Sequence, residues 1–217
     1  MKWTGFGLLL TGLCCIACAE KTNAPLRDLP EPDTDGAVSL EQAVANRRSI
    51  RSYTERPLTL KEIGQLLWAA QGVTRPDRNY RAAPSAGATY PLETYVVHQG
   101  GVFKYLPKAH ALQKKRNKDV RKQLGQAALG QRCVTFAPCS IVIAAVPERT
   151  TGRYGERGIR YVHMEAGHAA ENIHLQAVSL GLGSVPVGAF DGKKVSRVLK
   201  LSGNEEPLYI IPVGEPE

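Results

Sequence analysis

The sequence predicts an α+β fold, with strands and helices interspersed rather than alternating as strict βαβ units. A hairpin signal, an uninterrupted apolar strand and a long alanine-rich helix carry that prediction. In the hairpin, Thr94-Tyr95-Val96-Val97-His98 is turned by Gln99-Gly100-Gly101 into Val102-Phe103-Lys104-Tyr105. Ser140-Ile141-Val142-Ile143-Ala144-Ala145-Val146 has no polar alternation, the pattern of a strand buried on both faces. From about Arg160 to Leu180, Ala166, Ala169, Ala170, Ile173 and Ala177 recur at helical spacing, and such small residues permit close helix approach in a core or against a second subunit.

The remaining elements follow in order. Ser39-Leu40-Glu41-Gln42 is a capping box that starts a short helix, whose far end points toward Arg47-Arg48-Ser49. A second box, Thr59-Leu60-Lys61-Glu62, opens a helix with Ile63, Leu66, Leu67 and Ala70 on one face and Gly72 at its end. A polar helix is expected over about Asn117 to Leu129, and the basic run Lys114-Lys115-Arg116 with Lys118, Arg121 and Lys122 is expected to form the solvated face of a helix. After the long helix, Gly181 ends the element, Ser184 to Gly188 runs extended, and Asp191 caps a short helix ending near Leu199. Pro207 to Val213 forms the last strand.

Three sections divide the 217 residues. Residues 1–19 read as an export signal: Lys2, then Phe6 to Leu10 with Leu13 and Ile16, an apolar stretch too short to remain as a membrane span. Ala17-Cys18-Ala19 fits ordinary cleavage, while Cys15-Ile16-Ala17-Cys18 resembles a bacterial lipobox that would attach the chain to a membrane through a lipid on Cys18. Either way the mature protein is expected outside the cytoplasm, periplasmic or lipid-anchored. Residues 20–38, rich in Pro and charge, read as an extended tether. Residues 39–217 form one domain with 43% apolar and 22% charged residues over the whole chain, ordinary globular values. The net charge of +8 does not imply nucleic acid, because the basic run lacks interleaved aromatics and a binding motif. Cys133 and Cys139 read as two buried thiols, with pairing across their short loop as the alternative; their spacing fits no metal site.

Arg47-Arg48-Ser49-Ile50-Arg51 gathers three cations and a hydroxyl in five residues, with no acidic neighbour among Gln42, Ala45 and Asn46. Guanidinium forks match phosphate oxygens, and such a cluster calls for an anion. Two glycine-bearing segments, Pro84-Ser85-Ala86-Gly87 and Pro186-Val187-Gly188-Ala189, would let main chain approach a flat ligand. With Tyr90-Pro91 and the line Tyr161 to Asn172, these segments resemble the nitroreductase superfamily of FMN-dependent oxidoreductases, most nearly its SagB-type dehydrogenase branch, from about Ser39 to Gly214.

The resemblance implies a mixed, largely antiparallel sheet flanked by helices, with FMN at a homodimer interface. It places Arg47 and Ser49, with Arg48 beside them, at the phosphate and ribityl chain, and Arg51 near N1 and O2 of the ring. Pro84, Ser85, Ala86 and Gly87 match a second flavin loop; Pro186, Val187, Gly188 and Ala189 match main chain beneath the ring, with amides aimed at N5 and O4. Tyr154 is the catalytic candidate, from a Lys-Tyr pair that azole-forming members use for substrate protons; here Arg153 replaces the Lys, and an Arg is no base near neutral pH. His168 reads as a core or interface residue rather than a base. No Lys or Arg follows Gly214, where many members carry another phosphate-binding cation. The expected activity is ping-pong two-electron transfer between a small-molecule substrate and an unidentified donor, without a metal. A partner-dependent dehydrogenase acting on a peptide and a flavin-binding lipoprotein without turnover are the alternatives.

Overall fold

The computed structural model describes Met1 and residues 26–217; the export signal and the lipobox at Cys18 fall on residues outside this range. In chain order the elements are β1 (Leu26–Asp28), α1 (Leu40–Asn46), α2 (Leu60–Gln71), β2 (Val73–Arg75), β3 (Tyr80–Arg81), a 3-10 turn (Ala86–Ala88), β4 (Leu92–His98), β5 (Gly101–Leu106) and β6 (Ala111–Arg116). Then follow α3 (Arg121–Ala127), α4 (Arg132–Thr135), β7 (Cys139–Ala145), α5 (Glu148–Tyr154), α6 (Arg157–Ser179), β8 (Gly183–Ser184), α7 (Gly192–Leu199) and β9 (Glu206–Gly214).

Seven strands form one sheet in the order β1-β6-β5-β4-β7-β9-β8, every neighbouring pair antiparallel. Strand β7 lies inside the sheet, between β4 and β9, and is buried along its whole length. Its alternate side chains feed two cores: Ile141 and Ile143 join Leu66 and Leu67 of α2 and Ala166, Ala169 and Ile173 of α6, while Val142 and Ala144 join Leu124 of α3 and Val195 and Leu199 of α7. Burial on both faces is why the strand tolerates no polar alternation. The alanines of α6 are spent on this core, where they let α6 lie close against α2 and the sheet. Both predicted capping boxes form: Ser39 and Thr59 accept from the amides of Gln42 and Glu62, whose side chains return to the cap amides. Among the described residues no helix is long and apolar enough to cross a membrane.

Some expectations change. The basic run Lys114-Lys115-Arg116 lies on β6 and not on a helix, and the helix after it is confined to Arg121–Ala127. These side chains are half-buried: Lys114 reaches over the Phe103 ring and donates to Asn117, and Arg116 donates to the Val198 carbonyl at 2.8 Å. Long aliphatic stems allow such positions in a sheet while the charge finds an acceptor. From Leu26 on, the Pro-rich segment is extended but docked. Leu26–Asp28 pairs with β6, the buried Leu29 gives its amide to His110, and Asp33 exchanges two hydrogen bonds with Gln65. Cys133 and Cys139 are free buried thiols; burial pushes the Cys139 thiol up to about 12.

Candidate active site

The cationic segment begins where α1 ends. Arg47 is the C-cap residue of α1, so the chain leaves the helix through Arg48 and Ser49 and joins the sheet edge at Ile50. There Ser49 bridges Ser184 of β8, and the Ile50 amide donates to the Ser184 carbonyl at 3.0 Å. Gly183 makes this approach feasible: a Cβ on it would sit 2.7 Å from two carbons of Ile50. Beyond β8, Val187 exchanges backbone bonds with Ile210 of β9, which holds Pro186 and Val187 while Gly188 and Ala189 emerge exposed. The first predicted segment is therefore joined to β8, and the third leaves the same strand a few residues further along the chain.

Their chemistry suits an anionic, planar ligand. Among the described residues no carboxylate lies within ion-pair distance of Arg47, Arg48 or Arg51. Arg48 folds back on the carbonyls of Ala45 and Arg47, at 3.0 and 2.7 Å, a favourable place for a cation at a helix C-terminus. Arg51 spends one contact on the Ser49 carbonyl at 3.3 Å and is otherwise exposed. Among the described residues, neither the Gly188 nor the Ala189 amide donates to a protein group. Free amides on a loop that carries no bulky side chain can serve polar edges of a ring laid across them.

The second segment lies elsewhere. Ser85 accepts the Tyr90 amide at 2.9 Å, Gly87 adopts φ +59°, and Arg153 donates to the Gly87 carbonyl at 3.1 Å. A Cβ on Gly87 would come within 2.5 Å of the Tyr154 hydroxyl, so glycine is required both by φ and by that close approach. Tyr154 stacks edge-on with Tyr161 at 5.3 Å. A cavity of about 290 Å³ opens here, lined by Pro84, Ser85, Ala86, Tyr161, Met164, Glu165 and His168. Glu165 is only 2% exposed, and one of its oxygens has no partner among the described residues. Burial raises its carboxyl to about 7, against lesser opposing effects of the Ser85 hydroxyl and Arg81. His168 is exposed at this rim and not in the core.

Helix α6 separates the two halves. Ser85 meets it at Glu165, while Arg47 meets it at His174. Those nine residues span roughly 14 Å and about two and a half turns, which puts the two contacts on opposite faces. A single chain joins Ser49 and Ile50 to Ser184, a few residues before Gly188 and Ala189, and brings Tyr154 to Gly87, while Arg47 and Ser85 meet α6 on opposite faces. Two buried polar residues were given no role by the sequence, Glu165, whose spacing from His163 and His168 does not suit a metal, and His174. Their signal was position: each lies beside the alanine stripe of α6, where a titratable side chain must be buried. A larger cavity, about 850 Å³ between Pro32, Trp68, Pro76 and Pro107, contains none of these groups. Among the described residues no group of three or more His, Cys, Asp and Glu is placed to hold a metal ion.

Fold and comparison together define an α+β flavin oxidoreductase. More narrowly, the chain belongs to the Nitroreductase family, whose model matches residues 44–215. A Methanocaldococcus jannaschii protein, MJ1384, provisionally named a nitroreductase, is 47% identical over 189 residues, covering 84% of this chain and 93% of the relative. The FMN reductase [NAD(P)H] of Bacillus subtilis is 24% identical over 186 residues, covering 79% of this chain and 61% of that protein. Among solved structures, a protein of Ralstonia eutropha JMP134, also provisionally named a nitroreductase, aligns with TM-score 0.81 at 32% identity, over 88% of this chain and 90% of its own. The Escherichia coli microcin synthetase McbBCD complex shares the fold at TM-score 0.69 and 21% identity, over 98% of this chain and 85% of the matched chain.

Proposed function

We propose that this chain is an FMN-dependent oxidoreductase that exchanges two electrons with a small organic substrate, with each FMN held between two copies of the chain. The observation that carries the reading is the division of the site by α6. The cationic segment is joined to β8, the strand that leads to the Gly188-Ala189 amides, while the Ser85–Gly87 loop and Tyr154 lie across α6 and need a second copy to meet them. When bound, the flavin supplies hydride exchange at N5, with donor and acceptor using the same open face in turn.

The chain's own groups have the remaining tasks. Arg47 and Ser49 hold the phosphate end and Arg51 the pyrimidine edge, where a fixed cation favours negative charge. Gly188 and Ala189 offer amides to the ring without covering it. Tyr154 is placed to hold a proton beside the Ser85–Gly87 loop of its own chain. Arg153 ties down Gly87 and, as a permanent cation, takes no part as a base. The Ser-Ala-Gly…Tyr-Pro form of residues 85–91 supports the SagB-type affiliation, and Arg153 marks where this chain departs from the azole-forming members. Export through residues 1–19, ending in a cleaved or a lipid-bearing form, belongs to the same proposal; fractionation of cells producing the full chain and a Cys18→Ser variant tests it. For an exported enzyme, a quinol or redox protein is the expected donor, whereas the B. subtilis relative is named for NAD(P)H.

The purified protein is expected to be yellow, to run as a dimer, and to bleach with a quinol analogue faster than with NADH. A colourless protein that takes up no added FMN would sink the proposal. Arg47→Ala and Arg51→Ala are each expected to weaken FMN binding on the order of 10- to 100-fold, the worth of one charge-assisted contact. Fluorescence titration against riboflavin separates them: Arg47→Ala should leave riboflavin binding nearly unchanged, while Arg51→Ala should weaken both.

A further inference from the structure

We infer that His174 is a positioning residue that holds the Arg47 guanidinium toward the ligand phosphate, and that only its neutral ring can do so. The inference rests on the reading of Arg47 as part of the phosphate end. Arg47 Nη1 lies 3.4 Å from His174 Nε2, and His174 Nδ1 lies 2.6 Å from Ser184 Oγ. His174 is 3% exposed and Ser184 1%, so water does not complete these contacts. A guanidinium has five N–H donors and no acceptor. Nε2 must therefore present its lone pair to Arg47, which fixes the proton on Nδ1, where it is donated to the Ser184 hydroxyl.

The path then closes on itself. The Ser184 carbonyl accepts the Ile50 amide at 3.0 Å, so a chain of contacts leaves the cationic segment at Arg47 and returns to it at Ile50. Side chain and main chain of the same five residues are thereby locked to one buried imidazole. One N–H of Arg47 is spent on the ring, and four remain to meet an anion.

Protonation destroys the arrangement, because Nε2 would then present an N–H and a second positive charge to a guanidinium. The charged groups acting on the ring are Arg47 at the end of α1 and Glu171, one turn earlier on α6; its contact on β8 is the uncharged Ser184. Burial, reinforced by Arg47 and opposed by Glu171, holds the imidazole below its usual 6.5. The ring is therefore neutral at neutral pH, and the hold on Arg47 is lost as pH falls through that lowered value.

The test is titration of apoprotein with FMN and with riboflavin, which lacks the phosphate, for wild type, His174→Leu and His174→Gln. His174→Leu is expected to weaken FMN binding about tenfold, the worth of one contact to a charged group, and to leave riboflavin binding unchanged. His174→Gln can accept from Arg47 and donate to Ser184 without titrating. It should keep wild-type FMN affinity at pH 7.5 and surpass wild type at pH 5, with the ligand phosphate titrating equally in both. Nitrogen NMR of the wild-type apoprotein should show His174 as the Nδ1–H tautomer. Equal loss of FMN and riboflavin in His174→Leu, parallel pH profiles for wild type and His174→Gln, or an Nε2–H ring would each overturn the inference. A wild-type protein that binds riboflavin as tightly as FMN would instead overturn the phosphate reading beneath it.

Discussion

Gly183→Ala is expected to loosen the flavin site far more than it loosens the fold. The added methyl carbon would lie 2.7 Å from both Cβ and Cγ2 of Ile50 and 2.9 Å from Cγ1. Ile50 is β-branched and stiff, and its amide is tied to Ser184, so it cannot simply turn aside. Overpacking of this kind typically costs about 1–3 kcal/mol. The chain can relieve it by parting the Ser49–Ser184 bridge, because that join lies at the last strand of the sheet and not in its centre. Parting it frees Arg47, Ser49 and Arg51 from β8, the strand that leads to the Gly188-Ala189 amides. Urea unfolding should therefore register a loss of about 1–3 kcal/mol at most, while FMN affinity falls by at least 100-fold. A variant with normal FMN binding and wild-type stability would show that the contact between these segments is not what builds the site.

The same join shows which parts of this molecule were readable from its sequence and which were not. Capping boxes are local chemistry: Ser39 needs Gln42 and Thr59 needs Glu62, three residues on, so α1 and α2 were legible at their starts. Strand β7 was legible because burial on both faces leaves an unbroken apolar run in Ser140 to Val146. Strand β6 was not. Lys114-Lys115-Arg116 carries no strand pattern of its own and is extended because β5 pairs with it, Phe103 opposite Lys114 and Val102 opposite Arg116. Docking of the Pro-rich segment is equally non-local, depending on His110 and Gln65, 81 and 32 residues from their partners Leu29 and Asp33. At the site the cationic cluster could be read as a cluster, but not what it faced. Ser184 and His174 become part of it only once α6 and β8 fold back on α1. Opposite placement of the Ser85 loop follows from helix phase over nine residues of α6, a property visible in sequence only when both contacts are known.

Glu165→Gln is expected to make the protein more stable than wild type above neutral pH and nearly indifferent to this site below pH 5. The wild-type carboxyl is 2% exposed, forms no ion pair among the described residues, and leaves one oxygen unpartnered. Arg81, the cation acting on it, is committed to Gln71 at 2.8 Å and to the face of Tyr90 at 4.5 Å. Burial therefore dominates and raises the group from 4.5 to about 7. Between those values the folded chain holds a proton that the unfolded chain has released, so stability falls as pH rises through the interval. The contribution is fully present below pH 4.5 and gone above about 7. At roughly 1.4 kcal/mol per tenfold change in proton affinity, the total is on the order of 3 kcal/mol. An amide of the same shape cannot ionise, so this slope should vanish in the variant while other groups continue to titrate. The measurement is urea unfolding of wild type and Glu165→Gln at half-unit steps from pH 4.5 to 8. The two curves should diverge with rising pH and run parallel above about 7.5. Curves parallel throughout would mean that Glu165 keeps an ordinary acidity behind Ser85. Titration of Glu165 near neutral pH matters for the loop as well. Ionised Glu165 draws the Ser85 proton toward itself, whereas protonated Glu165 donates to Ser85 Oγ and leaves that hydroxyl free to point outward. In Glu165→Gln the amide group takes the donor's place permanently, so any dependence of FMN affinity on Glu165 protonation should disappear with the stability slope.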